Sequence, residues 1–106
     1  MSTLERARPS NGAQEAKPLL LFFHSLSSGR CRRVEGFLAQ VLQRRRNHET
    51  FTVHPIAAEH RPDLIERFDV DRLPTLMVIE RKTVRGRIAE PRGCEEIQTL
   101  LAPWLK

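Results

Sequence analysis

Leu19-Leu20-Leu21-Phe22-Phe23 is an unbroken apolar run, and Leu76-Met77-Val78-Ile79 is a second. Apolar runs this short predict strands buried on both faces rather than helices. After the first run the period changes. Val34, Phe37, Leu38, Val41 and Leu42 recur at three- and four-residue spacing, which predicts one apolar face of a helix starting near Cys31 and closed by Asn47-His48-Glu49. Residues 51–56 then alternate and predict a short strand, parallel to the first across that helix. Pro55 suits an edge strand or a strand's end. Pro62 fits the first position of a helix through Leu64, Ile65 and Phe68. Asp69-Val70-Asp71-Arg72 reads as a turn before the second apolar run. Residues 80–83 predict a hairpin turn, residues 84–89 a more polar edge strand, and Arg92-Gly93 a break. A last helix is predicted from Cys94 or Glu95 to Leu105, with Ile97, Leu100, Leu101 and Trp104 on one face. No internal repeat is visible.

The order is therefore strand-helix-strand-helix-strand-strand-helix, which predicts an α/β fold with a mixed four-stranded sheet and helices on both faces. Leu20, Phe22, Phe37, Val41, Leu76, Val78 and Leu101 are the candidate core. Residues 1–17 are polar, with Pro9, Asn11 and Gly12 as breakers, and read as a mobile tail with at most a short helix over 12–17. Residues 18–106 make the folded domain.

Composition adds three things. The net charge of +5 is carried mostly by arginine, including Arg30, Arg32, Arg33 and the run Arg44-Arg45-Arg46. That favours acidic partners or a nucleic-acid backbone, although a solvated basic surface is the plainer reading. The basic stretches lack the interleaved aromatics of a single-strand-binding surface, so nucleic acid is the weaker partner reading. Two cysteines, Cys31 and Cys94, are too few for a disulfide framework. Residues 1–18 hold no apolar leader and no run reaches membrane-spanning length, so the expected location is the cytoplasm with no membrane partner. His24, His48, His54 and His60 do not form a metal pattern. With no phosphate-binding glycine loop and no Gly-x-Ser-x-Gly elbow either, no cofactor is expected.

The candidate chemistry lies where the first strand passes into the first helix: Phe23-His24-Ser25-Leu26-Ser27-Ser28-Gly29-Arg30-Cys31. This segment resembles the active-site pattern of the thioredoxin family, Phe-Trp-Ala-x-Trp-Cys-Gly-Pro-Cys, without a gap. Phe23, Gly29 and Cys31 match. Ser28 stands in place of the first, attacking cysteine, Arg30 in place of the proline, Ser27 in place of the tryptophan, and Phe22 where the family holds a buried aspartate. Leu73-Pro74-Thr75 resembles the family's Ile/Val-Pro-Thr, in which the proline peptide is cis and lies against the active-site loop. Phe68-Asp69-Val70 resembles its lead-in. The resemblance covers residues 18–106 and implies the smaller, four-stranded thioredoxin-like core.

Dithiol exchange needs one thiolate to attack and a second thiol to resolve the mixed disulfide. With Ser28 in the first position, the resemblance implies a degenerate site without that turnover. It also implies a peptide-binding groove built from Ser27, Ser28, Gly29, Arg30, Leu73 and Pro74, where an extended peptide or protein segment adds as a strand and no thiol is required. The alternative is a monothiol redox protein in which Cys31, at a helix start beside Arg30, Arg32 and Arg33, forms mixed disulfides with a protein or a small thiol. Against it, that cysteine position is shielded in the family. Ser28 is read first as a helix cap. Cys94 is read as an accessible, unpaired thiol away from the loop.

Overall fold

The computed structural model describes residues 17–105, and the readings of residues 1–16 as tail or short helix lie outside it. The elements are β1 (Leu19–His24), α1 (Gly29–Gln43), a 3-10 turn (Arg44–Glu49), β2 (Thr52–Ala57), α2 (Pro62–Arg67), β3 (Thr75–Glu80), β4 (Thr83–Ala89) and α3 (Cys94–Leu101). They form one four-stranded sheet in the order β2-β1-β3-β4. β1 runs parallel to β2, from Leu19 opposite Thr52 to His24 opposite Ala57. It runs antiparallel to β3, from Leu19 opposite Ile79 to Phe23 opposite Thr75. β4 completes the sheet antiparallel to β3. The two unbroken apolar runs are the two central strands, which explains why neither shows an exposed face.

Side chains alternate across those strands. Leu20, Phe22, Leu76 and Val78 meet Val34, Leu38 and Val41 of α1 and Ile97 and Leu101 of α3. On the opposite face Leu21, Phe23 and Met77 pack with Ile56 and Val70, flanked by Leu64, Ile65 and Phe68 at α2. Helices therefore cover both faces, as the element order predicts. Pro55 lies exposed on β2, the outer strand of the sheet among the described residues, a position that tolerates its missing N–H.

Two expectations need correction. Phe37 is half-buried, at the margin of the α1 face rather than in its centre. The last helix ends at Leu101, not Leu105. Pro103 has no N–H to continue the ladder. The chain instead turns, with Trp104 N–H donating to the Leu101 carbonyl at 2.9 Å. Trp104 still packs edge-on against Phe51, ring centroids 6.2 Å apart.

The hairpin between β3 and β4 contains Arg81 and Lys82, at φ 54° and 66°. Glu80 pairs with Thr83, so this is a two-residue loop with both central residues left-handed. Asn-Gly tolerates that conformation far better than Arg-Lys. The double substitution Arg81→Asn/Lys82→Gly should raise stability by about 1 kcal/mol, read as a higher urea midpoint with an unchanged slope.

Farther along β4 the register slips between Val78 and Ile79, leaving Arg85 unpaired. The next residue, Gly86, lies under α3: a Cβ there would sit 3.0 Å from Leu100 Cδ1.

Candidate functional site

The sheet directions gather four connecting segments at one end. β1 and β2 both leave the sheet there, β3 enters there, and β4 leaves beside it, since Thr75 pairs with both Phe23 and Ala89. Residues 25–28, 58–61, 72–74 and 90–93 thus converge; of the sequence-predicted groove residues, Ser27 and Ser28 fall on the first of these, Leu73 and Pro74 on the third, and Gly29 and Arg30 open α1 directly after the first.

Ser28 is the N-cap of α1, in extended conformation, and its Oγ accepts the Cys31 N–H at 3.2 Å. The hydroxyl satisfies one of the helix's orphan donors, which is the capping role read from the sequence. Cys31, in the first turn, is 2% exposed and belongs to the same buried cluster as Phe22 and Val34. Its Sγ accepts the Ser25 N–H at 3.4 Å. Phe22, at the position where the resemblance expects a buried aspartate, is 3% exposed and stacked on His24 at 5.1 Å between ring centroids. Ser27, Gly29 and Arg30 are exposed, and Leu26 at the loop's tip is 51% exposed.

The loop is pinned by a residue the sequence did not single out. Glu59, in the turn after β2, accepts from the Ser25 hydroxyl at 2.7 Å and from the Leu26 N–H at 3.2 Å. The Ser25 hydroxyl, followed by backbone N–H groups, holds this carboxyl below its usual range. The signal that could have found Glu59 is the parallel pairing itself, because residues following two adjacent parallel strands emerge side by side.

On the other side, the Leu73–Pro74 peptide is cis, Pro74 is buried and Leu73 half-buried. Thr75 Oγ1 donates to the Arg72 carbonyl at 2.6 Å, closing the turn before β3. Glu90 N–H donates to the Pro74 carbonyl at 2.7 Å. The Glu90 carboxylate then bridges the two loops: Arg30 pairs with one oxygen, and Arg72 lies 3.5 Å from the other. Arg30 and Arg72 are thus brought together through a residue whose φ is 50°.

Cys94 is not the accessible thiol expected. It is half-buried under α1, its Sγ 3.1 Å from Gln40 Oε1 and 3.7 Å from the Phe37 carbonyl. Both cysteines are free. Among the described residues no group of His, Cys, Asp or Glu is placed to hold a metal, and no helix is long and apolar enough to cross a membrane.

Three solved structures are similar to this chain. The germline-specific thioredoxin protein Deadhead from Drosophila melanogaster is 19% identical, with TM-score 0.74 over 89% of this chain and 87% of that one. Desulfothioredoxin from Desulfovibrio vulgaris Hildenborough, in its reduced form, is 24% identical, with TM-score 0.71 over 83% and 82%. Oxidized mitochondrial thioredoxin 3 from Saccharomyces cerevisiae is 15% identical, with TM-score 0.67 over 81% and 77%. No curated protein sequence matches. The family model Thioredoxin matches residues 9–103. With a loop, a capped helix and a proline turn meeting at one end of a β2-β1-β3-β4 sheet, and a family match across nearly the whole chain, this chain belongs to the thioredoxin family.

Proposed function

We propose that this chain is a non-catalytic peptide- or protein-binding module that retains the family's groove without its dithiol. The observation that carries the reading is the use made of the Ser-Gly-Arg-Cys segment. Ser28, in the attacking position, is committed to capping α1, and the thiol three residues on is 2% exposed. Neither side chain offers an exposed nucleophile. The loop and the segment around Leu73 and Pro74 lie at the same end of the sheet, and Leu26 supplies an exposed apolar contact. Extended peptide adding there would be held by main-chain hydrogen bonds, which need no cysteine.

The competing reading is a monothiol redox protein working through Cys31. Its support is the contact between the loop and this thiol, with the Ser25 N–H donating to Cys31 Sγ.

The test separates the two. In native buffer Cys31 should react with iodoacetamide far more slowly than a free thiol, at a rate that rises with urea as the fold opens. Peptides selected against the immobilised protein should bind the Cys31→Ala variant as well as the parent. They should lose binding when their backbone amides are N-methylated. Rapid native alkylation of Cys31, or selected ligands that all depend on that thiol, would replace the scaffold reading with the monothiol one.

A further inference from the structure

Beside the groove the structure holds a cleft of about 790 Å³ whose rim includes Arg30, Arg33, Arg72, Arg92, Glu90 and Glu96. Both carboxylates are already engaged. Glu90 is held by Arg30 and Arg72, and a Glu96 oxygen accepts the Arg92 backbone N–H at 2.6 Å. The guanidinium groups of Arg33 and Arg92 meet no partner among the described residues, and both residues are exposed. Four arginines against two glutamates leave the cleft with two positive charges in excess. Between the charged groups the half-buried Phe37 and Ile88 supply a small apolar strip, with Val34 and Pro91 buried behind it. This also accounts for the half-burial of Phe37.

We propose that this cleft receives the acidic side chains of an extended peptide segment, with Arg33 and Arg92 as the residues that meet them. The proposal rests on the peptide-binding reading above and names the chemistry of the partner. The Glu90 carboxylate, gripped by Arg30 and Arg72, shows the recognition that the site already performs within the chain. Guanidinium forks suit carboxylates, and such charge-assisted bonds are roughly twice as strong as neutral ones. Glu90 also fixes the two loop arginines in place, so they stand as a wall rather than as free cations. Arg33 on α1 and Arg92 before α3 then form the unoccupied pair on the opposite rim.

The apolar strip decides between polyanions. A sugar-phosphate backbone has no side chain to bury against Phe37 and Ile88. A peptide in which Asp or Glu alternates with Leu or Val puts its acids toward the rim and its apolar side chains on the strip. The period of two in an extended chain makes that separation automatic.

The experiment measures fluorescence anisotropy with a short fluorescein-labelled peptide of alternating Glu/Asp and Leu/Val, and with its amide isostere carrying Gln/Asn. Three proteins are compared: the parent, Arg33→Gln/Arg92→Gln, and Arg44→Gln/Arg46→Gln. The last pair removes the same charge from exposed positions on the 3-10 turn. The acidic peptide should bind the parent about tenfold more tightly than the amide peptide, and Arg33→Gln/Arg92→Gln should remove that advantage. The Arg44→Gln/Arg46→Gln protein should keep it. Equal binding of the acidic and amide peptides leaves the groove reading standing and overturns the acidic preference. So does an equal loss in both double variants, which would make the effect one of net charge. Competition by a single-stranded oligonucleotide at equal charge concentration would overturn the peptide assignment in favour of a general polyanion surface. If neither peptide binds the parent, the groove reading itself fails and the acidic preference falls with it.

Discussion

Ser28→Cys should give the chain a disulfide-reducing activity that the unchanged protein lacks. The position has the required geometry: residue 28 caps α1, and Cys31 lies in the first turn with its N–H directed at the residue-28 side chain. An ordinary thiol is only a few per cent ionised at neutral pH. The introduced thiol would stand at the positive end of a helix, where the dipole favours its anion. Each pKa unit of stabilisation raises the thiolate fraction about tenfold. The introduced thiolate would attack a substrate sulfur, expelling the other sulfur as thiolate and leaving a mixed disulfide. Cys31, deprotonated, would then attack the introduced sulfur and release the second substrate thiolate. Because this second attack is intramolecular, the burial of Cys31 does not forbid it. Phe22, stacked on His24, occupies the position at which the family resemblance places an acid, so turnover should be slow. In an assay of dithiothreitol-driven reduction of a disulfide-bonded protein, Ser28→Cys should exceed the dithiothreitol background by roughly tenfold. The unchanged protein should match the background. Ser28→Cys/Cys31→Ala should stall as the mixed disulfide, visible by mass. The lost cap should cost about 1 kcal/mol of stability. Activity in the unchanged protein would refute the degenerate-site reading. An intact Ser28→Cys fold with no gain would mean that the loop does not present residue 28 as the family does.

The sheet was legible because its two central strands are buried on both faces, which leaves an unbroken apolar run in the sequence for each. The amphipathic period of α1 was legible for the same reason, as its buried face is Cys31, Val34, Leu38, Val41 and Leu42. Phe37 sits on the edge of that arc, and periodicity cannot say whether an edge position meets the sheet or a cleft. The apolar face that predicts α3 runs on through Trp104, yet the helix ends at Leu101 before Pro103, and the aromatic packs from a turn. Ser28 and Cys31 could be located because strand, cap and helix are contiguous in sequence. Glu59 and Glu90 could not, because each acts on a loop tens of residues away through a charge that looks like any other surface glutamate. The half-burial of Cys94 could not be read from the sequence. What shields it is Gln40 and the backbone of α1, which only tertiary packing brings near.

Phe23→Ala should be among the most destabilising single changes in the domain. Phe23 is fully buried in β1 and faces the side of the sheet that, among the described residues, α2 covers. That helix has six residues, none of them fully buried, so this face depends on a few large side chains. Phe23 contacts Phe68 there, ring centroids 5.9 Å apart at 52°. Phe68 in turn is placed by the end of α2, where Arg87 of β4 donates to the Phe68 and Asp69 carbonyls at 3.0 and 3.1 Å. Removing the Phe23 ring leaves a cavity that the sheet, held by ladders on both sides of β1, cannot collapse to fill. The loss should be about 3–5 kcal/mol, against a total stability of about 5–15 kcal/mol for a domain of this kind. The melting temperature should fall by at least roughly 12 °C. Phe37→Ala removes the same ring from a half-buried position over the arginine cleft and should cost no more than about half as much. The pair therefore measures the sheet's second face against its cleft margin. Equal melting temperatures for the two variants would show that α2 yields to fill the space, and that this face is packed more loosely than the burial of Phe23 implies.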